Sequence, residues 1–199
     1  MGRSVIVNVD LREAKPGDHD DLTHILVPAF SDKAEAILGD AGRALAIIPM
    51  ILDALAGLKL LATENHRPVG AIIVSTQEIV LPPETFKILR KEIGYLGALS
   101  AARLVSNYEK SLPTRLDREA RLEAVGVQEE VRNRGVGTQL IKSAEKWISD
   151  QGLEHFGLSV KTDNPAVRLY DRLGFLRTAS FDNKMGHWYY MRKEVGGQS

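Results

Sequence analysis

The sequence predicts an α/β protein: a mixed central sheet with flanking helices. Three observations carry this. Strand-like alternation and helix-like spacing of apolar residues succeed one another along 199 residues, the pattern of a layered α/β fold. Residues 120–173 read as strand, Gly-rich loop, helix, strand, helix, a crossover unit whose two strands should be parallel neighbours. The last two strand-like runs are joined by a short polar turn and read as an antiparallel pair.

Each element has its own signal. Val7 to Ala14 reads as a first strand, ended by the turn Lys15-Pro16-Gly17-Asp18. Asp18 is placed to cap a helix over Asp20 to Leu38, with Leu22, Ile25, Leu26, Ala29 and Phe30 at helical spacing. A second apolar helix runs from about Ala41 to Leu58 and contains Pro49. Leu60–Thr63 and Val69–Val74 are strands about the turn Asn65-His66-Arg67-Pro68. Residues 75–118 read as a helical insertion, started by Pro82-Pro83-Glu84, continued by Leu96, Leu99, Arg103 and Leu104, and ended by Ser111-Leu112-Pro113. Ala120–Gln128 is a strand. The next helix carries Leu140, Ile141, Ala144, Trp147 and Ile148 on one stripe and stops at Gly152. Phe156–Val160 is a strand. Asn164-Pro165 opens a short helix, Ala166 to Leu173, that ends at Gly174. Phe175–Phe181 and His187–Lys193 close the chain around Asp182-Asn183-Lys184. With no repeat and no low-complexity linker, a single domain over 1–199 is expected.

Composition narrows the function. Basic and acidic side chains number 26 each, which argues against a polybasic nucleic-acid binder. The first hundred residues carry an excess of three acidic groups and the remainder an excess of three basic ones. No cysteine is present, so disulfides, a cysteine nucleophile and Cys-based metal sites are excluded, and a cytoplasmic location fits. The stretch Met1–Asp10 is too short and interrupted for a signal peptide. The most lipid-like run, Ala44–Ala62, contains Pro49, Asp53 and Lys59 and reads as a buried helix, so no membrane partner is expected. The five histidines stand at no metal-ligand spacing, so no metal is expected. The apolar helices 41–58 and 84–105 offer a surface for a partner or a homodimer.

The chemistry points to Arg132-Asn133-Arg134-Gly135-Val136-Gly137-Thr138. Two glycines between a strand and a helix let a ligand reach the backbone. The first helical N–H groups have no internal partner, and the helix dipole is positive there. A diphosphate is the natural guest, and Arg132 and Arg134 add charge. The string alone is a weak signal, since a tight connection also needs small residues. A P-loop would require Gly-Lys-Ser/Thr, and a dinucleotide fingerprint would require glycine where Leu140 stands.

The loop Arg132-Asn133-Arg134-Gly135-Val136-Gly137 resembles the acetyl-CoA pyrophosphate loop of the GNAT superfamily of N-acetyltransferases. Val125-Gly126-Val127 is similar to that family's pantetheine-facing strand. Asn164 to Phe175 is similar to its second signature, and Trp188 to Lys193 to its last strand. The resemblance implies a GNAT-like fold in which two parallel strands splay apart around the cofactor arm. It implies acetyl-CoA as co-substrate and direct attack by an amine whose identity stays open. The cofactor-binding set would be Val125, Gly126, Val127, Arg132, Asn133, Arg134, Gly135, Val136, Gly137, Thr138 and Asn164. A backbone N–H of Val125 or Val127 would polarise the thioester carbonyl. Tyr170 matches the family's usual general acid; the alternative is a packed aromatic with a satisfied hydroxyl. Glu123, two residues before Val125, would share its face on a regular strand and is the candidate base, with Glu119 four residues further back. Family members with a glutamate on the next parallel strand have Ser159 here instead. A non-catalytic acyl-CoA-binding sensor is the rival reading.

Overall fold

A computed structural model describes residues 8–78 and 82–196. The elements, in chain order, are β1 (Asp10–Glu13), α1 (His19–Leu26), α2 (Ser31–Leu38), α3 (Ala44–Ala54), β2 (Gly57–Glu64), β3 (Arg67–Ser75), α4 (Pro83–Ser111), β4 (Glu119–Val127), α5 (Val136–Asp150), β5 (His155–Lys161), α6 (Val167–Arg172), β6 (Leu176–Asn183) and β7 (Gly186–Glu194). The seven strands form one sheet in the order β1-β2-β3-β4-β5-β7-β6. Every neighbouring pair is antiparallel except β4 and β5, which are parallel as the crossover requires.

The sheet carries apolar side chains on both faces, as its alternation dictates. Leu60, Ile72 and Val74 face α5 and α6, where they join Leu140, Ile141, Ile148, Phe156, Phe175 and Met191. Leu61, Ala71 and Ile73 face the other way and join Leu22 and Leu26 of α1 and Leu52 of α3. The β2–β3 hairpin closes through Asn65 and His66, both at positive φ (51° and 64°), the two-residue turn whose twist matches paired strands.

Several boundaries differ from the expectation, each for a local reason. The first strand begins at Asp10; Val7 and the residues before it lie outside the described residues. The expected helix 20–38 is two helices joined by a 3₁₀ turn, Val27–Phe30, because Pro28 lacks the N–H that a continuous helix needs. Asp18 caps no amide of α1. Its carboxylate accepts both arms of the Arg12 guanidinium at 2.7 Å and the Lys15 N–H at 2.7 Å, which holds its pKa well below the usual carboxylate range. The helix expected over 41–58 ends at Ala54, so that Leu58 is buried in β2. The short helix expected from Ala166 starts at Val167, and the Asn164 side chain accepts the Ala166 N–H at 2.8 Å.

The segment 75–118 is helical as expected, over Pro83–Ser111; Ile79 to Leu81 lie outside the described residues. Gly94, at φ 73° and ψ 172°, interrupts the helix. The stripe through Leu96 is not its buried face: Leu96 is 78% exposed, and Ala98 and Ala101 are buried instead.

One irregularity bears on chemistry. The β3–β4 register pairs Ile73 with Ala124 and Val74 with Leu122, so Glu123 has no partner opposite it. This bulge inverts the alternation of β4. Leu122 and, after the bulge, Val125 and Val127 meet the α5–α6 core, whereas Ala124 meets the opposite one. Glu123 therefore does not share a face with Val125, contrary to the expectation from a regular strand. Its carboxylate accepts the Ser75 hydroxyl at 2.5 Å.

Candidate active site

β4 and β5 pair only from Glu119↔His155 to Leu122↔Leu158. Beyond that point β4 stays bonded to β3 and β5 to β7, so the two parallel strands part. The edge of β4 that faces the gap presents N–H and C=O groups that no strand satisfies. The gap opens into a cleft of about 750 Å³.

The loop 132–135 closes one wall. Asn133 and Gly135 adopt left-handed backbone (φ 61° and 88°), the conformation that asparagine and glycine tolerate best. The pair turns the chain so that α5 begins at Val136 with its first turn on the cleft. No side chain caps this fifteen-residue helix. The amides of its first turn have no intrahelical acceptor and face the cleft with the positive end of the dipole. The other two glycines of the cleft lining, Gly126 and Gly137, differ in what holds them bare. A Cβ on Gly126 would stand 2.5 Å from the Ile25 carbonyl oxygen, so close packing of α1 requires glycine there. A Cβ on Gly137 would meet only Leu169 at 3.6 Å and Val127 at 3.8 Å, ordinary contacts.

Of the residues singled out in the sequence, Glu123, Val125, Gly126, Val127, Arg132, Asn133, Gly135, Val136, Gly137, Thr138, Asn164 and Tyr170 all line this cleft. Arg134 does not. Its guanidinium lies 3.4 Å from the Glu64 carboxylate, away from the cleft lining. Arg132 lines the cleft with its Nε donating to the Val127 carbonyl at 3.1 Å. Tyr170, on α6, is buried with its ring edge-on to Phe175 (5.8 Å between centroids). Among the described residues no hydrogen bond reaches its hydroxyl. Burial pushes the phenol above its ordinary value, so it keeps its proton at neutral pH.

Comparison with known proteins agrees with this geometry. Residues 50–175 match the family model described as the acetyltransferase (GNAT) family. That span is more than half of the chain. This protein belongs to the GNAT family. No curated protein matches the chain. Among solved structures, Ard1 from Thermoplasma volcanium aligns at a TM-score of 0.56 and 20% identity, covering 95% of this chain and 99% of that one. An N-acetyltransferase from Staphylococcus aureus Mu50 aligns at 0.58 and 12%, covering 95% and 99%. The yncA protein of Salmonella typhimurium, solved with its cofactor acetyl-CoA, aligns at 0.57 and 15%, covering 96% of each chain. At these identities the structures establish a shared fold. Among the described residues, no cluster of histidine and carboxylate side chains is arranged to hold a metal ion, and no helix is long and apolar enough to cross a membrane.

In this GNAT protein the parted strands also border a second, smaller cavity of about 180 Å³. Leu122, Glu123, Leu158 and Ser159 line both spaces, so the two meet where β4 and β5 separate. The far walls are Tyr108 of α4, Arg115, Arg121 and Tyr190. Tyr108 and Ser159 share a hydrogen bond between their hydroxyls, which ties α4 to β5 one residue past its last pairing with β4.

Glu119, the other carboxylate considered as a base, is committed elsewhere. Its side chain is fully buried. It accepts the Tyr190 hydroxyl, the Leu116 N–H at 2.6 Å and Arg192 at 3.2 Å. Burial alone would raise its pKa, but these donors together hold it below the ordinary value. Tyr190 is raised by burial and by the same carboxylate. Gly157 leaves the room for this contact, since a Cβ there would collide with both partners. Tyr108, Arg115, Arg121 and Tyr190 were not singled out from sequence. The available signal was charge at every second position of β4, Glu119, Arg121 and Glu123, in a strand otherwise apolar.

Proposed function

We propose that this protein moves the acetyl group of acetyl-CoA to a primary amine by direct attack within a ternary complex. The observation that carries the reading is the parting of β4 from β5 at Leu122 and Leu158, with an uncapped helix N-terminus at one end of the gap and a protonated phenol beside it.

Each part has a task. Bound acetyl-CoA supplies an acyl thioester. The amides of Val136, Gly137 and Thr138 hold the diphosphate, with Arg132 and Asn133 beside them. Asn164 orients the cofactor while its side chain holds the turn before α6. The freed backbone of Val125 to Val127 bonds the amide-bearing arm, and an N–H there polarises the thioester carbonyl. Arg134 contributes main chain only. An alkylammonium must lose a proton before it attacks. Glu123, which faces both spaces, takes that proton directly or through water. The Tyr170 hydroxyl gives its proton to the departing thiolate.

Thiol release from acetyl-CoA with a panel of primary amines tests this. Turnover with at least one amine, with coenzyme A and an N-acetylated product formed in equal amounts, supports it. Calorimetric CoA binding without acetylation of any panel amine would replace it with the acyl-CoA sensor.

A further inference from the structure

The smaller cavity has more buried positive charge than its own carboxylates neutralise. Arg121 is 9% exposed. Its Nη2 donates to the Pro113 carbonyl at 2.7 Å, and its guanidinium lies 5.5 Å from the centre of the Tyr190 ring. Among the described residues it has no ion pair, and its Nε is buried without a hydrogen-bond acceptor. The Nε of Arg115 is likewise buried and unmatched. Arg115 stands 4.0 Å from Glu123, but its terminal nitrogens donate to three backbone carbonyls and the Ser75 hydroxyl. Arg192 is paired with Glu119. That pair lies outside the cavity wall, so two lining guanidiniums, Arg115 and Arg121, face one half-buried carboxylate, Glu123. Glu78 and Glu109, the remaining acidic residues of the cavity wall, are solvent-exposed, where water weakens their effect.

A buried guanidinium without a counter-charge is costly, and a carboxylate matches its planar donors. We infer that the acceptor amine carries a carboxylate, which Arg121 binds in this cavity while Glu123 receives the ammonium at the junction with the cleft; the inference rests on the acetyl-transfer reading. The volume admits a molecule of amino-acid size. A diamine would set its second ammonium against Arg115 and Arg121. A neutral alkylamine would leave Arg121 uncompensated. Arg121 is then a specificity-determining residue.

The test measures kcat/KM for small α-, β- and γ-amino acids, each paired with its carboxamide. The carboxamide has the less basic amine, so intrinsic reactivity favours it, and preference for the acid must come from the protein. The wild-type protein should prefer at least one acid over its carboxamide by about 100-fold, as a charge-assisted pair predicts. Arg121→Met should bring that ratio close to one through KM for the amino acid, with KM for acetyl-CoA unmoved. Arg121→Lys, which keeps the charge and guards against a folding defect, should restore part of the preference. Acetylation of carboxamides, alkylamines or diamines as fast as of the acids, or an unchanged ratio in Arg121→Met, overturns the carboxylate inference and leaves acetyl transfer standing. Absence of any acetylation overturns the acetyl-transfer reading and this inference with it.

Discussion

The cleft and the small cavity meet at the same four residues but are built in opposite ways. One wall of the cleft is main chain: a left-handed turn at Asn133 and Gly135 and the bare amides of α5, all within six consecutive residues. The cavity is side chain: Tyr108 from α4, Arg115 from the following loop, Arg121 and Glu123 from β4, Ser159 from β5 and Tyr190 from β7. A backbone wall serves any chain with that local pattern. A side-chain wall is particular to this one. Under the proposed function, the contrast assigns the shared cofactor to the first wall and the individual substrate to the second.

Four substitutions test that division. The largest effect is expected from Tyr170→Phe. If the hydroxyl acts as the acid, kcat should fall by about 10²–10⁴-fold. Because no group among the described residues bonds that hydroxyl, stability should stay within about 0.5 kcal/mol, and CoA affinity by calorimetry should hold. An equal loss in turnover and in CoA affinity would mean that the hydroxyl serves cofactor binding and not proton donation.

Glu119→Gln comes next and strikes the charged face alone. Removing one partner of a buried ion pair costs roughly 3–5 kcal/mol, here by leaving Arg192 of β7 without its carboxylate. Denaturant unfolding would measure it. The pH dependence has a definite sign. The folded carboxyl titrates below its unfolded value of about 4.3, so its stabilisation is complete above that pH and is lost as pH falls through the lower, folded value. The wild-type protein should weaken over that acid range, and the glutamine variant should change less there.

Gly137→Asp isolates the backbone wall. A side chain at this position meets only ordinary contacts within the protein, and an acidic group in the first turn of α5 suits the helix dipole. Stability should therefore hold or rise slightly. CoA affinity should fall by about 100-fold, since the carboxylate faces the diphosphate. Gly135 would be a poorer probe, because its positive φ strains any substituent. Unaltered CoA binding in the Gly137 variant would remove the phosphate role from this turn.

The same division decides how much was legible. The crossover, and the place of the loop and of Tyr170 at the cleft, are readable because the signals lie in neighbouring residues: two spaced glycines, a helix start, an aromatic on the next short helix. The parallel pairing of β4 and β5 follows from chain order and handedness alone. Glu123 lines the cleft, but its direction is not readable from sequence, because the bulge at its position depends on how β3 pairs with β4. Arg134 was misplaced because Glu64, its partner, is seventy residues away in the chain. The settings of Arg115 and Arg121 depend on partners far away in the chain, Ser75 and Tyr190, which no local pattern announces. Pro28 did carry a local signal, an interruption of the first long helix.

The smallest expected effect probes the side-chain wall where it touches β5. Tyr108→Phe deletes the hydroxyl that meets Ser159 and keeps the ring, which packs edge-on against Trp188 at 5.3 Å and Phe181 at 6.4 Å. α4 should therefore stay seated, with a stability loss of about 1 kcal/mol for the one hydrogen bond. Ser159 borders both spaces, so freeing its hydroxyl should loosen the floor that the proposed function gives to the acceptor. The KM for the amine should rise about fivefold, the same energy expressed in binding, while the KM for acetyl-CoA stays within error. Steady-state kinetics with each substrate varied in turn separates the two. A matching rise in both constants would mean that α4 braces the parted strands as a whole, and the boundary between a backbone site and a side-chain site would have to move from Ser159 to the loop at Gly135.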